Sequence, residues 1–213
     1  MEEKAHGIIL RTRPLTETSL IVHWLTRDFG RIATVAKGAR GPKSSFRGKL
    51  DLFFRADFSF VRSRRSDLHI LREIVLLENH PGIRTDFDRV AYAAYAAELI
   101  ELATETETPV PEFFELFASW LAALNHASLS RSAVLAFEWK LLELSGVQPD
   151  ITNARLTRSA KALTERVASA GWNELVEITA GVEEAREVGR WFSGYLLEQL
   201  NRLPDARARL VFL

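Results

Sequence analysis

Cysteine is absent from this chain of 213 residues. Disulfide bonds, thiolate metal sites and cysteine nucleophiles are therefore excluded for it. The histidines are scattered along the chain without the short, regular spacing of metal ligands: His6, His23, His69, His80 and His126. We therefore expect no zinc site and no cofactor.

Long apolar runs and the common catalytic motifs are also missing. No run reaches the length that crosses a bilayer, and the acidic start Met-Glu-Glu-Lys is not that of a signal peptide, so we expect a soluble cytoplasmic protein without a membrane partner. The phosphate loop, the HExxH zinc motif and the GxSxG nucleophile motif do not occur. We predict that the protein is not an enzyme, although a two-metal nuclease site assembled from separate carboxylates stays open as an alternative.

The formal net charge is zero, but the two parts of the chain differ in sign. Residues 1–80 carry 15 Lys and Arg against 9 Asp and Glu, whereas residues 81–213 carry 13 against 19. The apolar fraction of 47% is high enough for a buried core. The split predicts two domains, 1–80 and 81–213, which either have different partners or attract each other.

A cationic loop follows a short apolar strand, Ile32–Ala36. Between Asp28 and Asp51 the chain contains no acidic residue. The loop is punctuated by glycines and Pro42, and its cations are Lys37, Arg40, Lys43, Arg47 and Lys49. Such a loop suits a phosphate backbone, because Lys and Arg replace the counterions condensed on a polyanion. A solvated basic loop without a ligand explains the same charges.

Short runs of β-branched and aromatic residues predict strands in residues 1–80. The predicted strands are Ile8–Arg13, Ser19–Thr26, Ile32–Ala36, Leu50–Val61 and Leu68–Leu77. Alternation over Leu50–Val61 predicts one buried side and one wet side. Phe53 falls on the wet side, where it could stack on a base or cover a barrel end. The strands, with a long connection after the third, predict a small closed barrel of the OB type, although SH3-like barrels share the strand count.

Residues 81–213 carry patterns typical of helices, beginning after Pro81 and Gly82. The predicted helices are one capped by Thr85 or Asp86 that runs to about Thr104, one opened by Pro109 and Pro111, one over about Arg131–Ser145, one or two short ones around Ser159–Ala170, and one from about Val182 to Pro204. Gly146 is the expected stop of the third helix. Residues 147–180 are less regular. The predicted fold class is therefore α+β and multi-domain, an N-terminal OB-fold barrel followed by an all-α domain without a zinc finger.

The stretch GRIATVAKGARGPKSSFRGKL, residues 30–50, resembles the signature of the bacterial RecO family of recombination mediator and DNA repair proteins. The opening GIILRTRPLTETSLIV is similar to the first strand pair of that family. The segment LLELSGVQPD, Leu141–Asp150, resembles the helix end before the variable insert of the family. The similarity covers most of the chain and is most specific in residues 30–50.

The resemblance implies an N-terminal OB domain followed by a helical domain. It implies binding of single- and double-stranded DNA and annealing of complementary strands. It also implies help in loading recombinase onto DNA coated by single-strand-binding protein. The implied protein partners are the C-terminal tail of that coating protein and the companion mediator RecR. The residues that match the basic signature are implied to contact DNA: Arg31, Lys37, Arg40, Lys43, Arg47 and Lys49.

Two features depart from the family pattern. Many members carry a four-cysteine zinc site in the insert, and this chain has no cysteine. The second arginine of the basic signature is Gly41 here, which removes one charge from the loop.

A partner tail would need a basic rim beside an apolar groove. Arg131 and Lys140 are candidates for that rim, although ordinary surface charges explain them too. The alternative function is a protein–protein adaptor whose basic barrel loop docks an acidic partner.

Overall fold

The computed structural model describes residues 2–127 and 129–212. The chain divides into two compact units, Met1–His80 with Thr104–Glu115, and Pro81–Ala103 with Leu116–Leu213. The first unit is built on β-strands and the second on helices. The chain therefore leaves the first unit after His80 and returns to it once, for the segment that begins at Thr104.

The first unit contains a closed barrel of five strands. They are β1 (Glu2–Pro14), β2 (Leu20–Thr26), β3 (Gly30–Ala36), β4 (Arg55–Val61) and β5 (Leu68–Glu78). The order around the barrel is β1-β2-β3-β5-β4, with β3 and β5 parallel and every other pair antiparallel. This order is the Greek-key arrangement of an OB fold, so the prediction of an OB barrel followed by helices is confirmed.

The barrel interior is filled by aromatic and β-branched side chains from alternate strand positions. The Trp24 and Phe58 rings are stacked with their centroids 4.1 Å apart. The indole Nε1 of Trp24 donates a hydrogen bond of 2.9 Å to Oγ1 of Thr34, so the one polar atom of this ring is satisfied. Trp24 and Thr34 are both fully buried, and the alternation that predicted these strands is therefore the alternation that fills the core.

Two predicted strand boundaries are wrong. Strand β1 begins at Glu2 rather than Ile8, because its first residues pair with β4 from Glu2↔Val61 onward. Strand β4 begins at Arg55 rather than Leu50, because Phe53 adopts a left-handed backbone with φ of 66° and breaks the extended chain. This conformation buries both Phe53 (3% exposed) and Phe54 (8% exposed), which strict alternation in a strand forbids.

Helices make up most of residues 81–212 and form most of the second unit. They are α1 (Phe87–Ala103), α2 (Pro111–His126), α3 (Arg131–Leu144), α4 (Arg158–Ser169), α5 (Val182–Leu200) and α6 (Arg207–Phe212), with 3-10 turns at Pro81–Thr85 and Glu174–Val176. Among the described residues, no helix is long and apolar enough to cross a membrane.

The helix predictions hold in type and differ mainly at the C-terminus. Gly146 ends α3 as predicted, with φ of 76° and its N–H donating to the carbonyl of Glu143. Helix α5 ends earlier than the predicted stop at Pro204, because Asn201 takes the left-handed conformation. Helix α6 was not predicted, since six residues give too short a stretch for a periodic pattern.

Candidate functional site

The connection between β3 and β4 contains the basic loop, residues 37–49. It is a succession of tight turns in which Gly41 N–H donates to Gly38 O at 3.0 Å and Lys49 N–H donates to Phe46 O at 3.0 Å. Gly38 and Gly48 have φ of 69° and 72°, the region that glycine adopts at low cost. Phe46 is 8% exposed and belongs to the barrel core. The loop is therefore held by its own backbone and by one buried anchor.

Four of the six residues implied to contact DNA are exposed in this loop: Lys37, Arg40, Lys43 and Arg47. Within residues 2–127 and 129–212, none of these four forms an ion pair with a carboxylate. Lys37 and Lys43 line one open concavity of about 490 Å³, whose other walls are Gly38, Gly41, Pro42 and Ser44–Phe46. The loop thus presents positive charge and small residues to solvent, and it can take an extended polyanion.

The basic loop also contacts the connection between β1 and β2, residues 15–19. The backbone N–H of Arg40 donates to Thr18 O at 2.9 Å, and its Nη1 donates to Thr16 O at 3.2 Å. The N–H of Gly38 donates to the hydroxyl of Ser19 at 3.4 Å. The two loops therefore form a single rim at this end of the barrel.

The other two predicted contacts, Arg31 and Lys49, are half-buried. The guanidinium of Arg31 donates to the carbonyl of Thr104 at 2.6 Å and to its hydroxyl at 2.9 Å. The Nζ of Lys49 donates to Ile74 O at 3.4 Å. Arg31 lies in β3, six residues before Lys37 in the chain. Six residues of extended strand span about 20 Å. The structure therefore does not bring Arg31 to the basic loop, and DNA contact by Arg31 and Lys49 stays a prediction.

Residues 104–110, here called the strap, explain the position of Arg31. The N–H of Glu107 donates to Arg31 O at 2.9 Å, and the Glu107 carboxylate lies 2.9 Å from the Arg62 guanidinium. Arg62 also pairs with Glu3 at 2.9 Å. The hydrogen bond from Arg62 holds the pKa of the Glu3 carboxyl below its usual value. Arg62 is therefore a structural cation of the barrel unit.

Sequence reasoning missed a second group of cations on the outer face of β1 and β2. Arg11 lies opposite His23 in the strand register. The Nη2 of Arg13 donates to Nε2 of His23 at 3.2 Å. Burial lowers the pKa of His23 to about 4, helped by the charges of Arg11, Arg13 and Arg31. The available signal was the alternation of strand β1, which puts Arg11 and Arg13 on the same face.

Several other residues singled out from the sequence have clear positions. Phe53 is buried, so its ring is not presented to a base. Arg131 lines a cavity of about 300 Å³ in the helical unit, together with the exposed Val182. The Nζ of Lys140 lies 5.5 Å from the centroid of the Trp172 ring, a cation–π contact.

In the described part of the chain, no group of three His, Cys, Asp or Glu side chains is arranged to hold a metal ion.

Comparison with known proteins gives the same family for both units. Residues 1–80 match the model of the N-terminal part of recombination protein O, and residues 84–163 match that of its C-terminal part. The chain is 34% identical over 153 residues, 72% of its length, to the DNA repair protein RecO of Bacillus subtilis. It is 35% identical over 147 residues (69%) to that of Listeria monocytogenes and 32% identical over 162 residues (76%) to that of Exiguobacterium sibiricum. These matches span 59%, 57% and 64% of the respective relatives, so the chain spans about three fifths of their length.

Proposed function

This chain belongs to the RecO family of DNA repair proteins, and from that premise we propose that it is a DNA-binding recombination mediator. In this role it binds single- and double-stranded DNA, anneals complementary strands and helps recombinase to load onto DNA coated by single-strand-binding protein. The observation that carries the proposal is the basic loop, in which Lys37, Arg40, Lys43 and Arg47 are exposed without a carboxylate partner in the described residues. Arg31 and Lys49 are retained as proposed contacts that need separate tests.

Annealing by this protein needs no catalytic group. Two complementary strands repel each other through their phosphates, and cations that neutralise phosphates on both strands lower that repulsion. Base pairing then supplies the free energy of the product. We accordingly propose a protein without enzymatic activity that acts in the cytoplasm, where its DNA substrate lies.

The helical unit is the proposed site for protein partners. The helical unit, Pro81–Ala103 with Leu116–Leu213, carries 15 Asp and Glu against 13 Lys and Arg, so it has no excess of positive charge for a phosphate backbone. A partner tail that is both acidic and apolar needs a cation beside an apolar depression. Arg131 and Val182, which line the same cavity of about 300 Å³, supply such a pair for the tail of single-strand-binding protein. RecR is the second proposed partner, on the strength of family membership alone.

The test is the salt dependence of binding to a labelled single-stranded oligonucleotide. The loop variant carries Ala at Lys37, Arg40, Lys43 and Arg47. The matched control carries Ala at four exposed arginines of the helical unit: Arg155, Arg158, Arg166 and Arg190. Each lost phosphate contact makes the slope of log K against log salt shallower by about 0.7. We expect a shallower slope for the loop variant and an unchanged slope for the control.

The alternatives give different results in the same experiment. Equal slopes for wild type and loop variant, or no binding by either protein, would favour an adaptor whose barrel docks an acidic protein. Cleavage of the oligonucleotide on addition of Mg²⁺, lost in chelator, would instead indicate a nuclease.

A further inference from the structure

A cavity of about 420 Å³, here called the acidic cavity, opens on the surface of the barrel over strands β1, β4 and β5. Strand register puts most of its wall in two rows, each of which crosses the three strands: Lys4–Ser59–Glu73 and His6–Asp57–Val75. The row between them points into the core and supplies backbone to the floor of the cavity: Ala5–Phe58–Ile74. Asp28, from the turn between β2 and β3, completes the wall. The acidic cavity therefore belongs entirely to the first unit.

Ser59 is the buried member of the two outward rows. Its side chain lies on the same side of β4 as that of Asp57, because alternate residues of a strand share a face, whereas Phe58 and Phe60 lie in the core. Ser59 is 5% exposed, and among the described residues its hydroxyl has no hydrogen-bond partner. Buried polar groups are nearly always paired. The bottom of the acidic cavity thus holds a polar group that a ligand can satisfy.

The charge of the wall is negative. It contains the carboxylates of Asp28, Asp57 and Glu73 against the single ammonium group of Lys4. Carboxylates still outnumber ammonium groups when Lys49 is counted, whose Nζ donates to Ile74 O at 3.4 Å. Within residues 2–127 and 129–212, the Asp28 and Glu73 carboxylates form no hydrogen bond or ion pair. Both are therefore free to pair with a cation.

His6 adds no charge to the wall. Its Nε2 accepts a hydrogen bond of 2.8 Å from Nε of Arg55, so its proton is on Nδ1, which donates to Asp57 at 2.8 Å. Arg55 in turn pairs with Glu78 at 3.3 Å. Because Nε2 of His6 is occupied by Arg55, this ring cannot take a proton from the Ser59 hydroxyl. His6, Asp57 and Ser59 are therefore not arranged as a nucleophile triad, and the acidic cavity is a binding site rather than a catalytic one.

We propose that the acidic cavity binds an arginine side chain from a basic segment of a protein partner. The guanidinium has five N–H donors in a planar fork, so it can donate to the Ser59 hydroxyl and to a wall carboxylate at the same time. Its methylene groups can lie against Val75, which is 61% exposed. The volume is at the lower end of the range for small-ligand pockets, about 300–1,000 Å³, which suits one side chain.

The charge of the acidic cavity selects a protein over a nucleic acid. Its carboxylates attract a basic peptide segment and repel a phosphate backbone. The basic loop has the opposite preference, since its exposed cations suit a polyanion. The barrel unit thus presents two surfaces of opposite sign, and the inference adds a protein-docking site to a unit for which only DNA contact has been proposed above. It does not depend on the proposed function.

The first measurement uses the blocked tripeptide acetyl-Gly-Arg-Gly-amide, titrated into the ¹⁵N-labelled full-length chain and followed by NMR. We expect the amide signals of residues 4–6, 57–59 and 73–75 to shift with one dissociation constant. The citrulline peptide has the same shape without the charge and should bind about tenfold more weakly. Absence of shifts at these residues, or equal binding of the citrulline peptide, would overturn the proposal.

The second measurement distinguishes a protein segment from a small cation. Spermidine and the lysine tripeptide are titrated under the same conditions. We expect both to bind more weakly than the arginine tripeptide, because an ammonium group lacks the planar fork of donors. Tighter binding of spermidine would overturn the assignment to a protein segment in favour of a polyamine.

The third measurement is Ser59→Ala. The variant loses a buried hydroxyl that has no partner in the free protein, so its urea unfolding midpoint should not fall. The arginine tripeptide should nevertheless bind about tenfold more weakly, since its guanidinium loses an acceptor. A role in stability alone would give the reverse pattern. Unchanged affinity in Ser59→Ala would overturn the proposed site.

The fourth measurement tests the wall charge with a matched control. Glu73→Gln should weaken tripeptide binding about threefold. Asp67→Asn, which removes an exposed carboxylate from the turn between β4 and β5, should have no effect. Equal effects of the two substitutions would contradict a specific site.

Binding of oligothymidylate to the Glu73→Gln variant separates this inference from the proposed function. Its salt slope should equal that of wild type, because removing a carboxylate removes no phosphate contact. If the variant loses oligothymidylate and tripeptide binding together, the protein assignment fails. If the loop variant shows no change of slope, the proposed function fails and the acidic cavity is unaffected.

Discussion

Arg207 and Glu138 form a buried, bidentate ion pair inside the helical unit, although they are separated by 69 residues in the chain. The Nε and Nη2 atoms of Arg207 lie 2.8 Å and 2.9 Å from the two carboxylate oxygens. The Tyr95 hydroxyl donates to the same carboxylate at 2.5 Å, and burial raises the pKa of Tyr95 well above its usual value. Arg207 also donates to Gly189 O at 2.9 Å. This network attaches α6 to α3 and α5.

We expect Arg207→Met to lower the free energy of unfolding by about 3–5 kcal/mol, because it leaves the Glu138 carboxylate buried without its cation. Urea unfolding followed by circular dichroism measures the change. Arg209→Met is the control, since Arg209 is exposed in the same helix and its loss should cost less than about 0.5 kcal/mol. Equal effects of the two substitutions would show that the pair does not stabilise the unit.

The strap should be sensitive to any side chain at position 30. Gly30 has φ of 66°, and a Cβ there would overlap the carbonyl of Thr108. We expect Gly30→Ala to lower the free energy of unfolding by about 2–4 kcal/mol, from backbone strain and from overpacking against the strap. Faster amide exchange in residues 104–110 would locate the damage.

Gly48→Ala is the matched control for that substitution. Gly48 has φ of 72°, but a Cβ there meets no atom within 4 Å. The cost should therefore be the backbone strain alone, about 1 kcal/mol. A loss at position 48 as large as that at position 30 would contradict the close approach of the strap to β3.

The stability of the barrel unit should depend on pH through His23. Its pKa of about 4 lies below the ordinary 6.5, so between these values the unfolded chain binds more protons than the native protein. Stability is therefore complete above about pH 6.5 and falls as the pH is lowered toward 4. The loss assigned to this half-exposed ring is about 1–2 kcal/mol after allowance for solvent screening. Unfolding of wild type and His23→Gln at pH 7 and pH 4.5 should show a smaller loss in the variant.

Phe46 should control the order of the basic loop. It is 8% exposed and packs in the barrel core, so Phe46→Ala is expected to cost about 3 kcal/mol. Amide exchange in residues 37–49 should become faster than in the strands, and binding to single-stranded DNA should weaken without any change of charge. Phe87→Ala is the control, because that ring is 84% exposed. Unchanged exchange in the loop would show that its backbone turns suffice to hold it.

Local patterns determined much of this protein. Alternation predicted the barrel strands, and the glycine at position 146 predicted the end of α3. The basic loop was also visible, since its cations are neighbours in sequence. Each of these features depends on residues that are close together in sequence. Over such short distances the periodicity of the side chains and the backbone preferences of single residues determine the local structure.

Only the tertiary structure decided the features that join distant residues. Nothing near Arg31 in sequence indicates that its guanidinium binds Thr104, and nothing near Arg207 indicates a buried partner at Glu138. Both arginines look like ordinary surface charges until the chain brings an acceptor to them. Phe53 broke the predicted strand for the same reason, because burying it beside Phe54 outweighs the cost of a left-handed backbone. The group of cations at His23 likewise exists only because strand register puts Arg11 opposite it.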